Sequence, residues 1–367
     1  MKKLLGQTSA AMGLAVGLAV LASGAHAAIT FSTFVSAADI GAVEGYSSTI
    51  AFNYAGNKFV GSVYFGGNNL QLYSTDLNGN NVQKFGSPLP TGGGEVVVGA
   101  SLGKAGFAKG DIYAGPDNNI YHYANSGGAP ALFGSTDDGS TIRQIFFDPG
   151  STFGGKMLVS TSSGHILSFD GSGTRNLIAN IGSDTEGLDV ASSNYGKYAG
   201  QLLVASEGSQ LIRAISPGGV ITILQSSSGG PVQIPLAETV SVVPLNFGAS
   251  GNPLEGFYVA NYPLDIQKAG VSSEFAAILG DAIVTSEFGS NSPIWDLHYN
   301  GDALDTFTVS QIGVLPNQSE DGVFVTGERI TDVGPTPSVV PEPTGLALVA
   351  TALVALSATG LRRRPRG

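Results

Sequence analysis

Among its 367 residues the chain has no cysteine. No disulfide can staple the fold, and thiolate catalysis and cysteinyl metal sites are excluded with it. Charge is sparse as well, at 12% of residues, and basic charge is the scarcer sign: 17 Lys plus Arg stand against 28 Asp plus Glu. Six of those bases, Lys2, Lys3, Arg362, Arg363, Arg364 and Arg366, lie in the terminal segments, where Glu342 is the one acid. The stretch between them therefore holds 27 acids against 11 bases, a net charge near −16. Such a surface repels nucleic acid and anionic lipid, because phosphate binding needs clustered Lys and Arg. It is compatible with divalent cations, neutral glycans or a cationic partner. There is no long amphipathic helix, Walker loop, dinucleotide fingerprint or zinc motif either.

What the chain has in abundance is glycine, 53 residues of it, with many Asn and Ser, a composition that suits tight turns between short strands. The turns recur with a period. Gly110-Asp111-Ile112-Tyr113-Ala114, Gly155-Lys156-Met157-Leu158-Val159 and Gly200-Gln201-Leu202-Leu203-Val204 start 45 residues apart. Each is followed by a second apolar strand, at Asn119 to Tyr123, Gly164 to Phe169 and Gln210 to Ala214, and then by a Gly-rich turn and a third. Each is preceded by a further short strand, at Glu95 to Gly99, Ile142 to Phe147 and Glu186 to Val190; Glu44 to Ile50 and Glu238 to Val243 read the same way. Weaker copies begin at Gly56, Gly256 and Gly280. Four short strands repeating every 45 residues predict an all-β fold, a β-propeller of about six four-stranded blades, over residues 28–332. Ile29 to Val35 or Asp321 to Val325 would close the ring with strands from the chain ends. An elongated sandwich or a pair of β domains is the alternative architecture.

The two ends read as addresses. Lys2 and Lys3 form a basic start, Ala11 to Ala22 an apolar core, and Ala25-His26-Ala27 a small-x-small site that leaves Ala28 as the new N-terminus, so residues 1–27 are predicted to be a signal peptide. At the other end a Pro-rich linker spans 333–343, ending in Val340-Pro341-Glu342-Pro343. An uncharged apolar run follows at 344–361, 18 residues that as a helix span roughly 27 Å. The Arg-rich tail at 362–367 then predicts a cytoplasmic C-terminus and a body outside. These three parts in this order resemble the PEP-CTERM sorting signal. The resemblance implies recognition by an exosortase, a membrane-embedded transpeptidase that cuts near Pro341-Glu342-Pro343, and passage from an inner-membrane intermediate to the cell surface or medium. It also implies association with exopolysaccharide and biofilm.

Within the body no catalytic residue is assigned. Glu44, Glu95, Glu186 with Asp189, and Glu238 recur at or near the start of predicted innermost strands. In a propeller those starts gather round one mouth of the central channel, and hard oxygen ligands converging there suit Ca²⁺. Glu186-Gly187-Leu188-Asp189 also resembles the Glu-Gly stretch of calcium-dependent lactonases of the SMP-30 type. The alternative reading of the recurring Glu is a turn device that accepts bonds from exposed backbone N–H groups. His122, His165 and His298 read as solvent-facing, Asp76 to Asn80 and Asp117 to Asn119 as hairpin turns, and Tyr195, Tyr198 and Tyr262 as loop tyrosines available to stack on sugars. The function expected is a non-enzymatic exported binding or matrix component; a secreted calcium-dependent hydrolase of lactonase type is the alternative.

Overall fold

In the computed structural model, residues 28–64, 70–90, 92–270 and 272–330 are described. The predicted signal peptide to Ala27, the sorting motif at Val340 to Pro343, the apolar run and the arginine tail lie outside them. Among the described residues no helix is long and apolar enough to cross a membrane.

Six antiparallel sheets form a ring. Blade 1 consists of Thr49–Tyr54, Phe59–Val63, Leu72–Thr75 and Gln83–Phe85, from inside outward; blade 2 of Val96–Ala100, Ile112–Pro116, Asn119–Tyr123 and Ala131–Ser135. Blade 3 is Ile142–Phe147, Met157–Thr161, His165–Phe169 and Arg175–Asn180, and blade 4 is Leu188–Val190, Leu202–Ser206, Leu211–Ile215 and Ile221–Ile223. In these four blades the chain runs straight outward, as the 45-residue period predicts.

Blades 5 and 6 are interlocked. Ala237–Val242 is the inner strand of blade 5, but the chain then crosses to lay Gly256–Tyr262 and Asp265–Ala269 into blade 6. It returns to complete blade 5 with Ala282–Ser286, Ser292–Tyr299 and Thr306–Leu315, and Gln225–Ser226 pairs parallel along its outer edge. Gln318–Val325 then becomes the inner strand of blade 6, and Ser32–Val35, from the start of the body, its outer one. Both expected closing strands are thus used, in one blade. The stretch around Asn261 to Ala277 departs from the repeat because it serves the blade after the one its neighbours build.

One expected inner strand is displaced. Residues 37–44 form a helix, with the Ser36 hydroxyl accepting from the Asp39 N–H at 3.1 Å and Gly45 ending it at a φ of 79°. Blade 1 therefore begins at Thr49, and Glu44 belongs to the helix C-terminus.

The core lies between blades. Second strands such as Leu202–Ser206 and Ala282–Ser286 are buried along their whole length because both faces meet a neighbouring sheet, whereas outer strands such as Arg175–Asn180 are mostly exposed. Aromatic contacts fill the seams: Phe52 stacks on Phe59 at 4.8 Å between blades 6 and 1, and Phe257 on Phe324 at 4.6 Å between blades 5 and 6. Tyr195 and Tyr198 are buried in the blade 4–5 seam, with the Tyr195 hydroxyl donating to the Leu297 carbonyl at 2.7 Å. They are packing residues, and the expectation of loop tyrosines open to sugar is corrected for both.

Candidate site at the acidic channel mouth

Six inner strands stand side by side round the axis, one per blade, and their first residues define one mouth of the channel. Blade 4 approaches blade 5 so closely there that only glycine fits: a Cβ on Gly187 would lie 2.3 Å from the Val240 nitrogen and 2.9 Å from the Glu238 carbonyl oxygen. That contact brings Glu186 and Glu238 to adjacent positions. Below them the channel narrows to a cavity of about 20 Å³ lined from all six blades, by Ile50, Val97, Arg143, Glu186, Glu238 and Glu320 among others.

Three of the residues expected at a mouth are brought together: Glu95, Glu186 and Glu238. They are joined by Asp184, Glu207, Glu287 and Glu320. Carboxylate oxygens of Asp184, Glu186 and Glu207 lie within 4.8 Å of one another. Glu207 and Glu287 are close enough for one carboxyl to donate to the other, and the Gln318 side-chain amide donates to both Glu287 and Glu320, the latter at 2.6 Å. The single cation paired with this group among the described residues is Arg143 of blade 3. Its guanidinium reaches Glu95 at 3.0 Å, Asp184 at 2.6 Å and Glu186 at 3.2 Å. Burial works against the Arg143 charge, but these three acids outweigh it and hold the group protonated.

One guanidinium cannot neutralise seven carboxyls. Burial, reinforced by Asp184, Glu207 and Glu95 against the attraction of Arg143, raises Glu186 well above the carboxylate range. Glu238 is raised likewise by burial and by Glu186, Glu320, Glu287 and Glu207. Burial and mutual repulsion push Glu320 up to about 9 and Glu287 to about 7. The arrangement concentrates hard oxygen donors and negative potential at one point of the ring.

Two expected members are elsewhere. Glu44, at the end of its helix, is buried with neither carboxylate oxygen hydrogen-bonded. Asp189 lies deeper in the channel, where it accepts from the N–H of Val190 at 2.6 Å and of Val242 at 2.7 Å and so ties blade 4 to blade 5. Asp321 does the same between blades 6 and 1, accepting from Gly322 at 2.8 Å and Phe52 at 3.1 Å. Burial raises both to about 7. They face a wider cavity of about 430 Å³ toward the opposite mouth, which Arg329 also lines.

The residues missed had a signal. Glu207 and Glu287 each stand seven residues after the glycine that opens a second strand, Gly200 and Gly280, in matching Ser-Glu pairs; Ser162 and Asp117 hold the same place in blades 3 and 2. Aligning first-strand starts passes over them, because second-strand ends reach the same mouth in an antiparallel sheet. Tyr64, just past the second strand of blade 1, and Tyr262, at the end of that of blade 6, meet edge to face at 6.3 Å. Burial, and the negative charges of Glu320, Glu95 and Glu287, discourage Tyr262 from ionising, which places this pair at the acidic rim.

The three histidines among the described residues are all partnered. His122 meets Asp111 at 2.6 Å, His298 meets Asp281 at 2.9 Å, and His165 bonds Asp138. Ser163 and Asp138 both approach the same His165 nitrogen, Nδ1, whereas a nucleophilic relay needs them on opposite nitrogens. Asp76 accepts from the N–H groups of Asn78 and Asn80 at 2.9 Å each, the turn expected of it.

No family model matches the chain, and no curated protein matches it. Among solved structures it is similar to a catalytically inactive variant of virginiamycin B lyase from Staphylococcus aureus with quinupristin, at 11% identity and a TM-score of 0.45, over 77% of this chain and 88% of that one. It is similar to a protein of unknown function from Bacteroides caccae at 11% identity and a TM-score of 0.42, over 73% of each chain. The extracellular domain of what is described as a one-component system from B. thetaiotaomicron is similar at 12% identity and a TM-score of 0.41, over 76% of this chain and 34% of that one.

Proposed function

We propose that the protein is an exported propeller, sorted through its Pro341-Glu342-Pro343 tail and displayed at the cell surface or released, where it acts as a binding component of the extracellular matrix. The observation that carries this reading is where the fold ends. The last strand of the ring stops at Val325, fifteen residues ahead of Val340, and the first begins at Ser32, four residues after Ala28. Removal of a leader at Ala27 and of a tail near Pro341 leaves all the described strands in place, so the processed body keeps every blade. An acidic body without cysteine suits a free existence outside the cell, and the Tyr64–Tyr262 pair beside a ring of hydrogen-bond acceptors offers a neutral polysaccharide a stacking face and hydroxyl partners.

A hydrolase of lactonase type is the second reading, favoured by the convergence of Glu95, Glu186 and Glu238 on one mouth. It ranks below the first because the three histidines of the described residues are committed to aspartates away from the inner strands.

Intact mass and location of the protein from its own cells test the sorting reading. A body running from Ala28 to near Val340, outside the cell only when Pro341-Glu342-Pro343 is present and retained in the membrane when those residues are alanine, is the expected result. A full-length chain in the membrane in both cases overturns it.

A further inference from the structure

The acidic mouth holds one side chain whose position nothing in the protein explains. Glu238 is 6% exposed, lines the 20 Å³ cavity, and has neither a hydrogen bond nor an ion pair among the described residues; its charged neighbours are Glu186, Glu207, Glu287 and Glu320. A buried carboxylate facing only other carboxylates destabilises the fold by several kcal/mol unless it is protonated or meets a cation. Arg143 does not supply that cation, because its guanidinium is turned toward Glu95, Asp184 and Glu186. Arg143 acts on Glu287 and Glu320 without pairing with them, and Glu238 is left without a counter-ion among the described residues.

We infer that the mouth of the channel is a binding site for one divalent cation of the calcium type, held by Glu186 and Glu207, whose carboxylate oxygens lie within 4.8 Å of each other and of Asp184, together with the unpartnered Glu238 beside them, and with Glu287 and Glu320 available to complete an oxygen shell. Three observations agree on the class of ligand. The cavity has room for one water-sized occupant, which admits a metal ion and excludes an organic ammonium or a lysine side chain from that constriction. Every candidate donor is a carboxylate oxygen, without histidine or cysteine, which favours a hard cation over zinc, copper or nickel. The donors come from different blades and from both strand starts and loop ends, a flexible set that suits the six to eight irregular ligands of Ca²⁺ better than the strict octahedron of Mg²⁺. The carboxyl-to-carboxyl contact of Glu207 and Glu287 and the amide bridge of Gln318 describe the same cluster with protons and a neutral donor in place of the ion. The inference requires neither the export route nor a hydrolytic activity.

The test uses the full chain stripped with EGTA and titrated with CaCl₂ or MgCl₂ in a calorimeter, with melting followed in parallel. The wild type is expected to bind one Ca²⁺, at least tenfold more tightly than Mg²⁺, and to melt higher by on the order of 5 °C at a hundredfold excess over Kd. Glu238→Gln is isosteric and removes one crowded charge, so its chelated form should melt no lower than the wild type while its Ca²⁺ affinity falls at least tenfold. Glu44→Gln, remote from the mouth, should bind as the wild type does. Absence of Ca²⁺ binding at millimolar concentration, Mg²⁺ binding equal to Ca²⁺, or undiminished affinity in both Glu238→Gln and Glu207→Gln overturns the inference. Because the readout is binding by purified protein, these outcomes are independent of where the cell sends it.

Discussion

At the scale of single residues, the acids of this protein divide by what their burial gains. Asp189 and Asp321 are half-buried and satisfied, each accepting two backbone N–H groups. Glu44 is buried and unsatisfied, and burial pushes it to about 7 despite the pull of Lys84. Its folded pKa thus lies above the unfolded value of about 4.3, so the stabilisation is complete below that value and lost as pH rises through about 7. Glu44→Gln keeps the shape and removes the titration. Urea denaturation at pH 5 and pH 8 should show the wild type losing on the order of 2 kcal/mol more than the variant, less than the full shift implies because pH 5 already lies above the unfolded value. Equal losses in the two proteins would show that Glu44 is ionised throughout.

At the scale of elements, the inner strands are short, three residues in blade 4 and five or six in blades 1, 2, 3 and 5. Ladder bonds join each to its own sheet, not to the next blade, so neighbouring inner strands need other ties. Side chains supply them: Asp189 to Val242, Asp321 to Phe52, Gln144 to the Leu188 N–H, and Ser241 to the Gly322 carbonyl at 3.3 Å. Asp189→Ala removes the acceptor of the Val190 and Val242 N–H groups and withdraws negative charge from near Arg329, whose own pKa burial has already lowered to about 10. Chemical denaturation should register a loss of about 2–4 kcal/mol, and roughly half of that for Asp189→Asn, which retains one acceptor. A loss within experimental error for the alanine variant would mean that seam packing alone holds the blades together.

At the scale of the whole molecule, ring closure decides what can become a site. Tyr64 belongs to blade 1 and Tyr262 to blade 6, nearly two hundred residues apart, and only the completed ring sets them edge to edge beside Glu95, Glu287 and Glu320. Tyr64 is 40% exposed, so its ring is available to a ligand. If this rim is the glycan face, the double variant Tyr64→Ala with Tyr262→Ala should be retained at least tenfold less strongly on a column of the polysaccharide from the protein's own cells, with its far-ultraviolet circular dichroism unchanged. Unaltered retention would move the binding face elsewhere. Interlocking blades 5 and 6 also puts both ends of the body into one blade, with Ser32–Val35 outermost and Gln318–Val325 innermost. A strand from each end must be present before that blade is complete.

The sequence by itself determined the architecture of the repeat: four strands per 45 residues, about six blades, closure from both ends, and Glu95, Glu186 and Glu238 at one mouth. Those features are local, because turn chemistry and apolar runs act over a few residues and repeat wherever the chain repeats. It also carried Glu44 and Asp189 into the same mouth, and there position in the repeat was a poor guide. Ser36 and Gly45 cap a helix that removes Glu44 from its strand, and the two N–H groups near Asp189 draw it between blades. Only the tertiary structure decided that second-strand ends join first-strand starts, that Glu207, Glu287 and Glu320 complete the acidic cluster, and that Arg143 neutralises one side of it and leaves Glu238 bare. The reason is physical: burial and electrostatic potential depend on every charge brought near in space, and in a ring the nearest charges come from blades far apart along the chain.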